Sequence, residues 1–519
     1  MLTEPEKAVA RIIGRAAARL DTTHAGYVIG TTYAALLPED VRSSLGAYYT
    51  PPALAARLLD QATAAGVDWT RCSVLDPACG GGAFLAPVAE RMLKALTDLG
   101  PLASVREVER RIRGFDVDPF AAWLSQVFLE AVLLSQCRLA GVRLRTLVEV
   151  KDALAIGDGT RTYDFVVGNP PYGRVSLPAP MRQRFERSLY GHANLYGLFT
   201  DLAVRLTRKG GIIAYVTPTS FLAGEYFSKL RSLLGQEAPP TTVDFITRRK
   251  AVFDDALQEA LLLTCMRGAT ASEAPVAFII PIDDSSIKIT AIGTFTLPKS
   301  ISDPWIVPRL PEHQALTVRL RMMPHRLADW GYAISTGPLV WNRHKSQLVS
   351  KPGSNVLPLV WAEAVTSDGR FTFRAAKKNH TLYFRCGRAD DWLIVREPCV
   401  LLQRTTAREQ ARRLIAAVMP KSFLDSHSGA VVENHLNMVY PIVSKPPVTL
   451  EVVAAFLNST MADESFRCIS GSAAVSASEL EALPVPDPHS LDRVIAMIAA
   501  GADRVAVDAE FERQYRLTQ

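Results

Sequence analysis

Val74-Leu75-Asp76-Pro77-Ala78-Cys79-Gly80-Gly81-Gly82-Ala83-Phe84-Leu85 reads as a short apolar strand that ends in an acid, turns on three glycines and continues into a helix. Glycine lets the backbone approach a bound molecule closely, and a helix start presents unpaired N–H donors to it. Strand-to-helix corners also use glycine merely to pack, so the neighbouring segments decide the reading. From Leu45 to Arg267 short apolar runs alternate with helical segments: Ser73-Val74-Leu75, Ile112-Arg113-Gly114-Phe115, Tyr163-Asp164-Phe165-Val166-Val167 and Gly211-Ile212-Ile213-Ala214-Tyr215-Val216. That alternation predicts an α/β fold with a mostly parallel, doubly wound sheet.

Two further strand ends carry acids. Arg113-Gly114-Phe115-Asp116-Val117-Asp118-Pro119 places Asp116 where a carboxylate can chelate the two ribose hydroxyls of a nucleoside cofactor, while Asp118, immediately before a proline, suits a helix cap. Asp116 lies further from the glycine-rich turn than the roughly 20 residues usual in dinucleotide folds, so an extra helix near 103–112 is expected between them. Val148-Glu149-Val150-Lys151-Asp152 puts Asp152 where it can accept a hydrogen bond from an adenine amino group.

Tyr163-Asp164-Phe165-Val166-Val167-Gly168-Asn169-Pro170-Pro171-Tyr172 is a buried-type strand ending in a rigid polar turn and an aromatic. Consecutive prolines fix φ and leave carbonyls without intrachain partners. An exocyclic amino nitrogen is a poor nucleophile, because its lone pair is delocalised into the ring. If the Asn169 side-chain oxygen and the Pro170 carbonyl accept its two hydrogens, that pair is localised and can attack a sulfonium methyl in line. Tyr172 would stack on the base, a contact worth about 1–3 kcal/mol in nucleic-acid sites. Neither a metal nor a covalent intermediate is required.

Asn169-Pro170-Pro171-Tyr172, taken with Asp76-Pro77-Ala78-Cys79-Gly80-Gly81-Gly82, resembles the amino-methyltransferases that modify adenine N6 or cytosine N4 in DNA, or a glutamine side chain in protein. Gly46-Ala47-Tyr48-Tyr49-Thr50-Pro51-Pro52 precedes the glycine-rich turn and resembles the segment that the gamma class of N6-adenine DNA methyltransferases carries there. The resemblance implies S-adenosyl-L-methionine as cofactor, with Tyr49, Thr50, Asp76, Ala78, Cys79 and Gly80 around its methionyl end and Asp116 and Asp152 on its ribose and adenine. Lys250-Ala251-Val252-Phe253-Asp254-Asp255 resembles the family segment whose Phe covers the other face of a flipped adenine, which makes Phe253 a second stacking residue. Cytosine N4 is the alternative within the same chemistry, and protein-glutamine or RNA methylation the more distant one.

A chain of 519 residues is too long for one core, and the sequence divides into an N-terminal helical extension over 1–45, a Rossmann-like methyltransferase domain over 46–270 and a third region over 271–519. The boundary near 270 rests on Gly268-Ala269-Thr270-Ala271-Ser272. Residues 321–421 hold 17 Lys and Arg against 7 Asp and Glu, a local excess of 10 within a net charge of +6, so the remainder is mildly acidic. A basic region beside an acidic remainder points to a polyanion, since each cation near a phosphate releases counterions.

Ile334-Ser335-Thr336-Gly337, Val453–Ser459 and Leu480–Pro486 resemble stretches of target-recognition domains in restriction-modification methyltransferases, so 271–519 is expected to be an α+β DNA-binding domain with a C-terminal helix. Arg404, Arg408, Arg412 and Arg413 fall at helical spacing and are candidate contacts to DNA phosphates. Double-stranded DNA is then the partner, with a separately encoded cognate restriction endonuclease as the second partner the resemblance implies. Seven scattered cysteines without Cys-x-x-Cys pairs, histidines without ligand spacing, and a start without an apolar leader predict a reducing, cytoplasmic setting, no metal and no membrane.

Overall fold

The predicted strand pattern is realised around β1 (Val74–Asp76), three buried residues third from one edge of a nine-stranded sheet. The computed structural model describes residues 11–12, 14–39, 42, 49–157, 162–246, 259–405, 412–470 and 474–517. They divide into one unit of Met1–Phe221 with Tyr226–Ser302 and a second of Leu222–Glu225 with Asp303–Gln519.

The first unit runs through α1 (Thr22–Leu36), α2 (Pro52–Ala64), β1, α3 (Leu85–Ala95), α4 (Pro101–Arg111), β2 (Ile112–Asp116), α5 (Pro119–Ala140), β3 (Val148–Val150) and β4 (Tyr163–Gly168). There follow the short pair β5 (Arg174–Val175) and β6 (Ala193–Asn194) with α6 (Ala179–Arg184) between them, then α7 (Leu195–Leu206) and β7 (Thr207–Pro218). It closes with α8 (Ser228–Glu237), β8 (Pro240–Ile246), β9 (Ala260–Met266), β10 (Glu273–Pro281) and β11 (Ile287–Thr296). The sheet order is β11-β10-β8-β9-β7-β4-β1-β2-β3. The helix expected near 103–112 is α4. Helix α5 begins where Pro119 follows the Asp118 cap, whose carboxylate accepts from the Phe120 amide, and ends at Gly141 in the left-handed region.

From β3 to β7 every neighbouring pair is parallel, as the sequence pattern predicts. Beyond β7 the sheet is mixed: β9 runs antiparallel between β7 and β8, and β11 antiparallel to β10. Val74, Phe165, Val167, Ile212, Ala214 and Leu262 form the floor of a core completed by Leu54, Leu58, Val88 and Leu129 from α2, α3 and α5. Helix α5 has the length and hydropathy, 1.3, of a membrane span, but its Ala122, Leu129, Leu133 and Cys137 are taken up in that core.

Two boundaries differ from the sequence reading. The small-residue stretch after Arg267 is a link inside the sheet, because β10 pairs in parallel with β8 through Val276–Ile279, covering hydrogen-bonding groups β8 would otherwise leave unpaired. The unit therefore extends to Ser302 rather than to 270. Within the described part of 1–45, Ala17 and Ala25 pack into a cluster with Ala86, Leu124 and Phe128, so these residues belong to the first unit.

The second unit is α+β. It holds an antiparallel four-stranded sheet, β12 (Tyr332–Thr336), β20 (Leu436–Pro441), β17 (Cys399–Gln403) and β18 (Ala416–Met419), and a five-stranded sheet of β13 (Leu348–Val349), β15 (Tyr383–Arg385), β14 (Val356–Val360), β19 (Ala430–Val432) and β16 (Ile394–Val395). Helices Leu450–Leu457, Thr460–Ile469 and Arg504–Leu517 cover a core containing Val400, Leu402, Phe456, Phe466 and Phe511. Buried aromatics satisfy their polar tips on the backbone: Trp330 Nε1 donates to Pro486 O at 2.9 Å and Tyr515 Oη to Pro484 O at 2.9 Å. The stretches 334–336, 453–457 and 480–486 thus all belong to this core. Phe371 forms an isolated antiparallel bridge to Val365.

Candidate active site

The parallel strands β1, β2, β3 and β4 all end on one edge of the sheet, and the order reverses between β1 and β4. Crevices outside carboxyl ends at such a reversal are where open α/β sheets bind ligands. A cleft lies there, and its wall includes Tyr49, Thr50, Ala78, Cys79, Gly80, Asp116, Asn169 and Pro171.

Gly80 has φ +50°, and a Cβ added there would meet no atom within 4 Å, so the turn leaves open space on that side. Its amide donates to Asp116 Oδ2 at 2.8 Å, and Asp118 N donates to Asp116 Oδ1 at 2.9 Å. Each Asp116 oxygen is thereby aimed and retains a lone pair. Burial raises the Asp116 pKa above the ordinary carboxylate value, opposed by those amide bonds. Val117, 53% exposed, and Lys151 continue the wall beside it.

Asp76 sits one residue behind the wall and is fully buried. Its Oδ1 accepts from Ala78 N at 3.1 Å, whereas Oδ2 has no hydrogen-bond partner among the described residues. Burial pushes its pKa well above the carboxylate range. Cys79 donates its amide to Phe115 O at 2.9 Å, and burial raises its thiol pKa well above normal, so the sulfur is packing rather than nucleophile. Asp152 is exposed between two wall residues, Lys151 and Ala153, and caps a short turn by accepting from Leu154 N at 2.9 Å.

The tetrapeptide follows β4 directly. Asn169 Nδ2 donates to Thr50 Oγ1 at 3.2 Å, and Tyr172 Oη donates to Asn169 Oδ1 at 2.8 Å, so two hydroxyls hold the carboxamide between them. Tyr172 Oη also lies 3.3 Å from Val216 O. The Tyr172 ring meets Tyr196 edge-on at 6.1 Å, and burial raises the phenol pKa. The sequence signals Tyr172 as a stacking ring and gives no sign of its hydroxyl bond to Asn169. It equally gives no sign that Thr50, 119 positions earlier, touches the tetrapeptide.

Tyr49 is wedged between backbones. A Cβ on either Gly30 in α1 or Gly81 would overlap its ring, so both positions require glycine by close approach. Glycine in a helix interior was the available signal for this contact. Tyr33 of α1 donates to Asp118 Oδ2 at 2.9 Å, and burial beside that carboxylate pushes its pKa up to about 12.

Other expected site residues lie elsewhere or outside the described residues. Phe253 and Arg408 fall outside them. Arg404, Arg412 and Arg413 are not on a helix: Arg404 follows β17 and Arg412–Arg413 lead into β18, two strands that pair antiparallel. Arg404 Nη1 donates to Asn434 O at 2.8 Å, and Arg412 donates to the Asn458 carbonyl and lies 3.9 Å from Asp508. Arg404 and Arg412 thus brace the second unit through these contacts.

With this geometry in hand, comparison with known proteins gives a consistent picture. Residues 112–253 match the family described as Eco57I restriction-modification methylase. The chain is similar to type II methyltransferase M.BsuBI of Bacillus subtilis, at 24% identity over 486 residues, covering 91% of this chain and 94% of that one. It is also similar to type II methyltransferase M.PstI of Providencia stuartii, at 24% identity over 359 residues, covering 67% and 70% of the two chains. Among solved structures, the type IIL restriction-modification enzyme MmeI in complex with DNA aligns with a TM-score of 0.53 at 12% identity, covering 94% of this chain and 78% of that one. At that identity the likeness concerns fold, and it supports the α/β assignment made from the strand pattern.

Proposed function

We propose that the chain is a DNA methyltransferase that transfers a methyl group from S-adenosyl-L-methionine to the N6 amino group of an adenine turned out of duplex DNA. The observation that carries this reading is the Asn169 carboxamide, held by Thr50 and Tyr172 at the mouth of β4 and facing the same cleft as Gly80 and Asp116. The donor set fits the cofactor. Asp116 offers two aimed acceptors for ribose hydroxyls, Gly80 leaves space beside the turn, and Asp76 Oδ2 is a buried polar atom without a hydrogen-bond partner among the described residues.

When bound, S-adenosyl-L-methionine supplies an electrophilic methyl group on a sulfonium. The chain's own part is to orient and to polarise. Asn169 Oδ1 has a lone pair beyond the one engaged by Tyr172, and Pro170 presents a carbonyl followed by a residue without N–H. Together they can accept both amino hydrogens, which concentrates the nitrogen lone pair toward the cleft. Good alignment of reacting atoms is worth roughly 7–11 kcal/mol, so the rigidity of the Pro-Pro turn matters more than any acid or base.

What favours adenine is the order of segments, with Tyr49-Thr50-Pro51 preceding the glycine-rich turn and Thr50 reaching the tetrapeptide. What favours DNA is the similarity to the two type II methyltransferases over most of the chain, together with the basic stretch 321–421. Turning a base out costs a few kcal/mol, offset by stacking in the pocket, where Tyr172 and Phe253 are the proposed faces. A separately encoded cognate endonuclease and a cytoplasmic setting accompany this proposal.

The test is Asn169→Ala with labelled cofactor and unmethylated duplex DNA. Binding of a non-reactive cofactor analogue should survive while label transfer falls by at least a hundredfold. Undiminished transfer would remove Asn169 from the reaction, and label appearing in protein or RNA but not DNA would overturn the substrate class.

A further inference from the structure

A row of rings runs from the tetrapeptide to the surface of the first unit. Tyr172 meets Tyr196 at 6.1 Å, Tyr196 meets Phe227 at 5.1 Å, and the neighbouring Tyr226 meets His192 edge-on at 5.2 Å. Tyr196 is buried with its hydroxyl 3.0 Å from Ser220 Oγ. The outer rings are exposed: Tyr226 by 40%, Tyr190 by 45%, with His192 between them in sequence and also exposed.

Tyr226 is fixed in place. Gly191 has φ +63°, and a Cβ there would stand 2.6 Å from the Tyr226 ring, so only glycine lets that ring lie against the backbone. Arg182 Nη2 donates to Gly191 O at 2.9 Å, and Lys229 Nζ to Glu186 O at 2.9 Å. The hairpin carrying His192 starts at the tetrapeptide itself: Leu195 N donates to Gly173 O at 2.9 Å, and Arg174 of β5 pairs with Asn194 of β6.

Arg174, Arg182 and Lys229 are exposed on this stretch, while Arg187 is taken up by Asp201 and Glu237. An aliphatic patch would suit a protein or lipid surface. Flat rings among cations suit unstacked bases on a phosphate backbone, because every base has a stackable face.

We infer that Tyr190, His192 and Tyr226 form a stacking platform for bases next to the flipped nucleotide, with Arg174 on a neighbouring phosphate. This rests on the DNA reading given above. Extrusion of one nucleotide leaves its neighbours without a stacking partner, and an aromatic face beside the pocket replaces that partner.

The experiment measures binding of sheared, unmethylated genomic DNA over a range of salt concentrations, with label transfer as a second readout and cofactor-analogue binding as a folding control. Tyr226→Ala and His192→Ala should each weaken DNA binding about tenfold while leaving the slope of log affinity against log salt unchanged. Tyr226→Phe and Tyr226→Trp should restore binding. Arg174→Ala should instead reduce the slope by about one. Should Tyr226→Ala fail to bind the cofactor analogue, the exposed Tyr190→Ala and His192→Ala carry the test. Unchanged affinity in those variants, or a changed salt slope for the ring variants, overturns the platform while leaving the methyltransferase reading intact. If the unsubstituted chain labels no DNA, that reading falls and the platform with it.

Discussion

The side-chain nitrogen of Asn169 donates to the hydroxyl of Thr50 at 3.2 Å, joining the end of β4 to a segment that precedes β1 by more than twenty residues in the chain. Removing the hydroxyl leaves a carboxamide hydrogen without its partner. Thr50→Ala should slow methyl transfer in a single turnover about tenfold, corresponding to roughly 1.4 kcal/mol, the size of one hydrogen bond. Thr50→Ser should restore most of the rate. Equal rates for Ala and Ser variants would show that the hydroxyl does not orient Asn169.

Tyr172 has two separable attributes, a ring and a hydroxyl bonded to Asn169 at 2.8 Å. Tyr172→Phe keeps the ring and should cost about three- to tenfold in rate with little change in DNA affinity, while Tyr172→Ala should reduce both. A Phe variant with full activity would assign Tyr172 to stacking alone. Because burial raises the phenol pKa, the hydroxyl stays protonated as pH rises through the ordinary value near 10, and no loss of rate from Tyr172 is expected below that pH.

Asp116 sets the pH dependence of cofactor binding. As a carboxylate it accepts from Gly80 N and Asp118 N and has lone pairs left for ribose hydroxyls; protonation removes acceptor capacity. Its pKa is raised by burial, so the loss should begin, as pH falls, at a higher pH than the ordinary value of about 4. Calorimetric titration with a cofactor analogue should show affinity falling on acidification, with Asp116→Asn weaker and its loss on acidification smaller. An unchanged profile in Asp116→Asn would reassign the group.

Gly30 offers a test in which helix propensity and packing predict opposite signs. Alanine in a helix interior is ordinarily about 1 kcal/mol more favourable than glycine, yet a methyl at Gly30 would overlap the Tyr49 ring. Gly30→Ala should lower Tm and weaken cofactor binding, and adding Tyr49→Ala should recover the Tm. A simple rise in Tm for the single variant would show that Tyr49 is not wedged there.

Much of this was legible in the sequence because it is local. Period and punctuation are enough for β1, β2, β4 and the central part of β7, and a strand end followed by Gly, Asp or Asn-Pro-Pro is visible without knowing its neighbours. The topology of the far half was not. Strand β9 is as apolar as a parallel strand, and its antiparallel direction depends on pairing that no single segment encodes. The stretch after Arg267 has the composition of a linker but is held in the sheet by Val276–Ile279 pairing with β8, a contact over thirty residues away. Arginine spacing is uninformative for the same reason: Arg404 and Arg412 lie in the connection between paired strands, and their partners Asn434, Asn458 and Asp508 are distant in sequence. Thr50 was legible by resemblance, while its bond to Asn169 required the fold.

The most direct test of the account is nucleoside mass spectrometry on unmethylated DNA incubated with the chain and S-adenosyl-L-methionine carrying an isotopically labelled methyl group. The account predicts labelled N6-methyldeoxyadenosine, absent with Asn169→Ala. Labelled N4-methyldeoxycytidine in its place, or no labelled nucleoside from an enzyme that binds its cofactor, would contradict it.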